Sequence, residues 1–311
     1  MICRCVLTGL LLVLLGYFAQ SVCTEPGKKA PAGDYFASIT DEIFDTFLAE
    51  TESERQLLDA VVIGKEEEVQ IGETNLQDFL HSLQRKNIRV VQRSKDASHL
   101  KSLVAETRPL MRNANRYFFI SQFVAEFTPV DARAFPGGFI VCSTGLIDFA
   151  QSETAFIGVL AHEMSRVDRG HQLRTTRNIK LAESILAFRN VQSDDLIQRG
   201  SLLMKQFAHL FRTEEEATTD LDAAKWVFET GYDPLELASL FRRLHRRDPA
   251  NQVRLPSFLR THPYHAEVYH AVKELSSRLK VINPDERLCV GRENLRHIIP
   301  IEKDNFLNER T

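Results

Sequence analysis

Apolar positions recur at helical spacing along most of the chain. Ile43, Phe44 and Phe47, then Leu57, Leu58 and Val61, predict helix from Tyr35 to about Ile63. Leu76, Phe79, Leu80 and Leu83 follow the i, i+3, i+4, i+7 pattern of a second helix. A third runs from His99, with Leu100, Leu103 and Val104 on one face, and Pro109 ends or kinks it. Tyr117–Ile120, Phe123–Phe127 and Phe139–Cys142 read as short strands, the last entered through the turn Pro136-Gly137-Gly138. Proline is then absent until Pro234. Three helices are expected in that stretch: Ser152 to about Val167, Asn178–Phe211 with a break near Gln192–Asp195, and Thr213–Thr230. Gly231 stops the last, and Asp233-Pro234 opens a helix over Leu235–Arg246. Ala266–Leu279 is the final helix, and the polar tail Pro284–Thr311 carries no clear pattern. The expected class is α+β, mainly α.

Composition narrows the class further. With 311 residues, 43% hydrophobic and 26% charged, the chain can bury a core of one or two domains, which excludes wholesale disorder. A net charge of −3 argues against nucleic acid as a partner. The N-terminus reads as an address. Arg4 precedes the uncharged run Val6–Ala19, which is shorter than the ~20 residues of a spanning helix. Ala19-Gln20-Ser21 offers small residues for cleavage, so residues 1–21 are expected to be a signal peptide and 22–34 a linker. The mature protein would then be exported to the periplasm or cell envelope. Two alternatives stay open: a retained short anchor, and a lipid anchor at Cys23, against which the bulky Val22 counts. Cys3 and Cys5 would leave with the leader, and Cys23, Cys142 and Cys289 do not form a disulfide framework. Cys142 sits in an apolar run and is expected as a buried thiol.

The chemistry lies in Leu160-Ala161-His162-Glu163-Met164-Ser165-Arg166. A His-Glu pair on a helix is half of a zinc-peptidase motif. In the full motif a second histidine four residues on shares the helix face, two imidazoles bind zinc, and the glutamate activates water. Here Arg166 holds that position, and a guanidinium has donors only. Taken alone, the pair is no more than a buried histidine beside a glutamate.

The surrounding order carries more. Val130-Asp131-Ala132-Arg133-Ala134-Phe135-Pro136-Gly137-Gly138 leads to Ser143-Thr144-Gly145-Leu146, then to His162-Glu163 with His171 beyond. Glu216-Ala217-Thr218-Thr219-Asp220, Gly231-Tyr232-Asp233-Pro234 and Thr261-His262-Pro263 follow. This series resembles the HtpX and CAAX-prenyl-protease family of zinc metallopeptidases, in particular its exported soluble branch. The resemblance implies a zincin-like fold, with a small sheet beside the motif helix. It covers a metallopeptidase-like domain at 69–281, which leaves the N-terminal helical segment at 35–68 and the tail at 282–311 outside it.

By that resemblance His162 is the first zinc ligand, Glu163 the general base and Glu216 the acidic ligand, with Arg166 in place of the remaining histidine. Asp220 and His171 would stand behind the ligands, and His262 would lie near the site. The family's arginine after the His-Pro pair is Val268 here. Zinc in such a site needs three protein ligands and an exchangeable water, so the expectation is weak or absent zinc. Arg166, with a proton on His162, would balance Glu163 and Glu216 in the metal's stead. The leading expectation is a pseudopeptidase that binds a protein or peptide client, with a role in protein quality control. Association with a membrane or membrane protein is a further expectation. Phe139–Cys142 is the strand expected to receive an extended peptide. The alternative is an active metalloendopeptidase whose site is rebuilt with His171 or His262. A third is a plain helical scaffold. In it Glu214-Glu215-Glu216 is only a solvated helix start, His262, His265 and His270 a solvated patch, Arg242-Arg243 and Arg246-Arg247 an exposed basic face, and Trp226 core.

Overall fold

The computed structural model describes residues 61–115, 121–126, 128–173, 176–177, 180, 213–247, 265–284, 287–299 and 309. The expected leader and linker, most of the 35–68 segment, Tyr117–Ile120, His262, and all but Lys180 of the Asn178–Phe211 helix lie outside these residues.

The fold is α+β and mainly helical. Helix α1 spans Lys65–Gln84, strand β1 Val90–Val91 and helix α2 Lys95–Thr107, which passes into a 3-10 turn at Arg108–Leu110. Strands β2 (Ser121–Ala125), β3 (Ala132–Phe135) and β4 (Phe139–Ser143) follow, then α3 (Thr144–Ala150) and α4 (Glu153–Asp168). A 3-10 turn at His171–Leu173 precedes α5 (Thr213–Glu229), α6 (Leu235–Arg247), α7 (His265–Ile282) and α8 (Arg292–His297). Among the described residues no helix is long and apolar enough to cross a membrane.

The four strands are ordered β1-β2-β4-β3, with β2 and β4 parallel and the outer pairs antiparallel. This corrects one expectation. Phe139–Cys142 is an interior strand, buried along its whole length, and cannot accept a further strand. Its unbroken apolar run is the mark of a strand covered on both faces. Ile140 and Cys142 enter the main core, while Phe139 and Val141 pack against Leu76 and Leu83 of α1. Among the described residues the sheet edge beyond β4 is β3, whose residues alternate between buried and half-buried.

Helix α1 seats on the β3–β4 turn. Gly137 and Gly138 take φ of +78° and +96°, which only glycine adopts without strain. Gly137 N–H donates to Glu68 on α1, and a Cβ on Gly72 would lie 1.7 Å from the Pro136 carbonyl oxygen. The sheet's other face packs on the motif helix α4, in which every residue except Arg166 is buried. A helix buried on all sides belongs in the centre of a domain, and α4 is ringed by α2, α3, α5, α6 and β3. Ser152 caps it, accepting from Ala155 N–H at 3.1 Å. Trp226 is core, as expected. Arg243 is not part of an exposed basic face: its Nη2 donates to the Ala150 carbonyl at 2.7 Å and ends α3.

The unpatterned tail contributes to the core. Leu288, Cys289 and Val290 are buried, and Tyr232 and Cys289 form a parallel bridge. The carbonyls of Gly291 and Val290 accept from Glu153 and Thr154 N–H at 2.9 and 3.2 Å, in the first turn of α4. Thr154 Oγ1 donates to the carbonyls of Cys289 and Val290. Cys142 and Cys289 are both buried, and burial pushes the Cys142 thiol up.

Candidate functional site

His162, Glu163 and Arg166 lie on the last two turns of α4, and α5 packs alongside. His162 is 1% exposed, and its Nδ1 lies 2.9 Å from Asp220 Oδ1 on α5. A carboxylate only accepts, so Nδ1 carries a proton, and in the neutral imidazole the lone pair is then on Nε2. That is the tautomer a metal-binding imidazole needs, with Asp220 as the carboxylate that orients it.

Glu163 is buried, and both of its oxygens are engaged. Oε2 accepts from the Ala134 N–H on β3 at 2.9 Å. Oε1 faces Arg166 Nη1 at 3.6 Å, one turn along the same helix. The pair holds a fixed positive charge against the carboxylate that the family resemblance casts as the base. Arg166 therefore sits where the spacing places it, on the face shared with His162 four residues earlier.

The C-terminal end of α4 is fastened by acids. Asp168 accepts from Arg112 and Asn113 N–H, both at 2.9 Å. Asp222, two residues past Asp220, accepts from Ser165 Oγ at 2.9 Å and Arg169 Nε at 2.7 Å. This anchoring fixes the direction in which the His162 and Glu163 side chains leave the helix.

Of the remaining expected site residues, Glu216 lies on α5 one turn before Asp220, with its side chain outside the described set. His171 stands half-buried on the 3-10 turn after α4. His262 is outside the described residues. Among the described residues, no group of three or more His, Cys, Asp or Glu side chains converges to hold a metal ion. A zinc ion fits His162 and does not fit Arg166, which presents only donors and a positive charge.

Two features escaped the sequence. Gln172 donates from Nε2 to the Ala134 carbonyl, so Ala134 is held from both sides, by Glu163 and by Gln172. At the other end of α4, the wholly buried acid Glu153 stands in the first turn, and its Oε1 lies 3.0 Å from His99 Nε2. Tyr232 OH donates to Glu153 Oε2 at 2.9 Å. Burial, then the Glu153 and Glu106 charges, push the Tyr232 phenol up. His99 and Glu153 each stand on an expected helix, but nothing in their spacing pairs them. Residues 96–276 match the model of peptidase family M48.

Proposed function

The chain belongs to peptidase family M48, a zinc metallopeptidase family, and on that premise we propose that it is an exported pseudopeptidase that binds extended protein or peptide clients. The finer kinship is with the HtpX and CAAX-prenyl-protease branch. The observation that carries the reading is the Arg166–Glu163 contact at 3.6 Å. It places a permanent cation on the ligand face and against the carboxylate that would activate water. A dication at close range to that guanidinium is repelled, and His162 with Glu216 would supply one protein ligand fewer than the site needs.

His162 and Asp220 support descent from a working site, since their pairing is the arrangement that serves a metal-bound imidazole. What such a site keeps without a metal is an edge strand beside the central helix, with polar side chains facing that edge. Binding by strand addition uses backbone hydrogen bonds and requires no catalysis.

Zinc per chain, measured by elemental analysis on purified protein, tests this reading. Wild type is expected to hold far less than one equivalent, and Arg166→His is expected to take up close to one. One zinc per chain in the wild type, lost on His162→Ala, would falsify the pseudopeptidase reading. It would favour an active endopeptidase with a rebuilt site, and His171→Ala and His262→Ala would then locate the substitute ligand.

A further inference from the structure

The outward-facing edge of β3 is already occupied by the protein's own side chains. Ala134 lies opposite Ile140 on β4, yet its N–H and C=O point away from β4. They are the two groups an added strand would engage. Glu163 Oε2 accepts from the N–H as a strand carbonyl would, and Gln172 Nε2 donates to the C=O as a strand amide would. Together they reproduce the two bonds made by one residue of a paired strand.

We infer that Gln172 is an autoinhibitory plug, which an extended client segment must displace from the Ala134 carbonyl before it can add to β3. This rests on the client-binding reading above. Two observations fit a displaceable contact. Gln172 Oε1 is buried with no hydrogen-bond partner among the described residues, so the resting position leaves one amide acceptor unsatisfied. The turn also stands apart from the α4 ladder. Gly170, at φ +69°, ends the helix, and Leu173 N–H returns to the Gly170 carbonyl at 3.1 Å. Leu173 stays buried while the Gln172 side chain alone rotates away. Glu163 has a different standing, because Arg166 holds it from the other side.

The plug taxes affinity by the fraction of molecules in which it is open. Its removal is read with a fluorescein-labelled, alternating valine–threonine peptide by fluorescence anisotropy. The comparison is between wild type, Gln172→Ala and Gln172→Glu. The second variant keeps the side-chain size but replaces the donor with a carboxylate that the Ala134 carbonyl repels. Loss of one neutral hydrogen bond corresponds to about fivefold tighter binding in both variants. The same peptide N-methylated at alternate residues cannot donate to Ala134 and is expected to show no gain. Equal affinity of all three proteins for the unmethylated peptide overturns the plug and leaves client binding standing. An equal gain for the methylated peptide also overturns the plug, since the gain then does not pass through β3. No binding by any of the three, with circular dichroism showing each folded, overturns the client reading and the plug with it.

Discussion

Arg166 and a histidine differ in what they offer a cation: one brings five donors and a charge, the other a lone pair. His162, on the same helix, has such a lone pair in its neutral form and is already oriented by a carboxylate. Asp220 holds His162 by Nδ1 at 2.9 Å. Its role can be read in an Arg166→His background, where Asp220→Ala should weaken zinc affinity about 10- to 100-fold, measured by competition with a chromogenic chelator. Unchanged affinity would mean that Asp220 only fills space. In the wild-type background the same change removes the acceptor of a buried N–H and should cost about 1–3 kcal/mol of stability by urea denaturation. His162, Glu163, Arg166 and Asp220 were legible in the sequence because their chemistry is in their side chains and their spacing is local. Ala134 and Gln172 were not. One contributes a main-chain amide and carbonyl, which every residue has, and the other an amide side chain whose partner is 38 residues away.

Between elements, the α2–α4 junction carries another buried polar group. His99 on α2 and Glu153 on α4 pair at 3.0 Å, and Tyr232 binds the other Glu153 oxygen. Glu106, on the same helix as His99, borders this group. Burial pushes its carboxyl up from 4.5 to about 7, with Glu153 adding to the rise and His99 opposing it, although the residue keeps an exposed surface. The folded chain thus holds a proton that the unfolded chain releases. The stability this contributes is fully present below about pH 4.5 and is lost as the pH rises through about 7. Glu106→Gln stays neutral throughout. Across that window the wild-type melting temperature should fall relative to the variant's, as followed by circular dichroism. Parallel profiles would show that Glu106 ionises as it does in the open chain. The helices themselves were legible from period and punctuation: Pro109, Gly231 and Asp233-Pro234 mark real boundaries at the ends of α2 and α5 and the start of α6. The order of strands was not. Ala-Arg-Ala-Phe is too short to announce a strand, and its alternation marks the edge only once the continuous run of β4 is recognised as interior.

For the molecule as a whole, the folding unit extends past the family match, which ends at residue 276. Leu288, Cys289 and Val290 are buried, and their backbone closes the first turn of α4. A buried Leu or Val contributes roughly 1.5–3 kcal/mol, against a total of ~5–15 kcal/mol for a typical domain. A chain cut after Asn283, which keeps α7 entire, should therefore lose a large part of its stability. Limited proteolysis and thermal melting would show this, and a cut chain melting with the intact protein would place the strap outside the cooperative unit. The tail was illegible because its apolar residues form no periodic face and bind through main-chain groups. That strap also sets an order of events during synthesis. Thr154 waits for a partner 135 residues further on. While the ribosome is still adding the C-terminal segment, the amides at the start of α4 can bond only to water. The helix that bears His162, Glu163 and Arg166 is completed at its N-terminal end only when residues 289–291 have emerged, so a nascent chain carries the motif without its finished support.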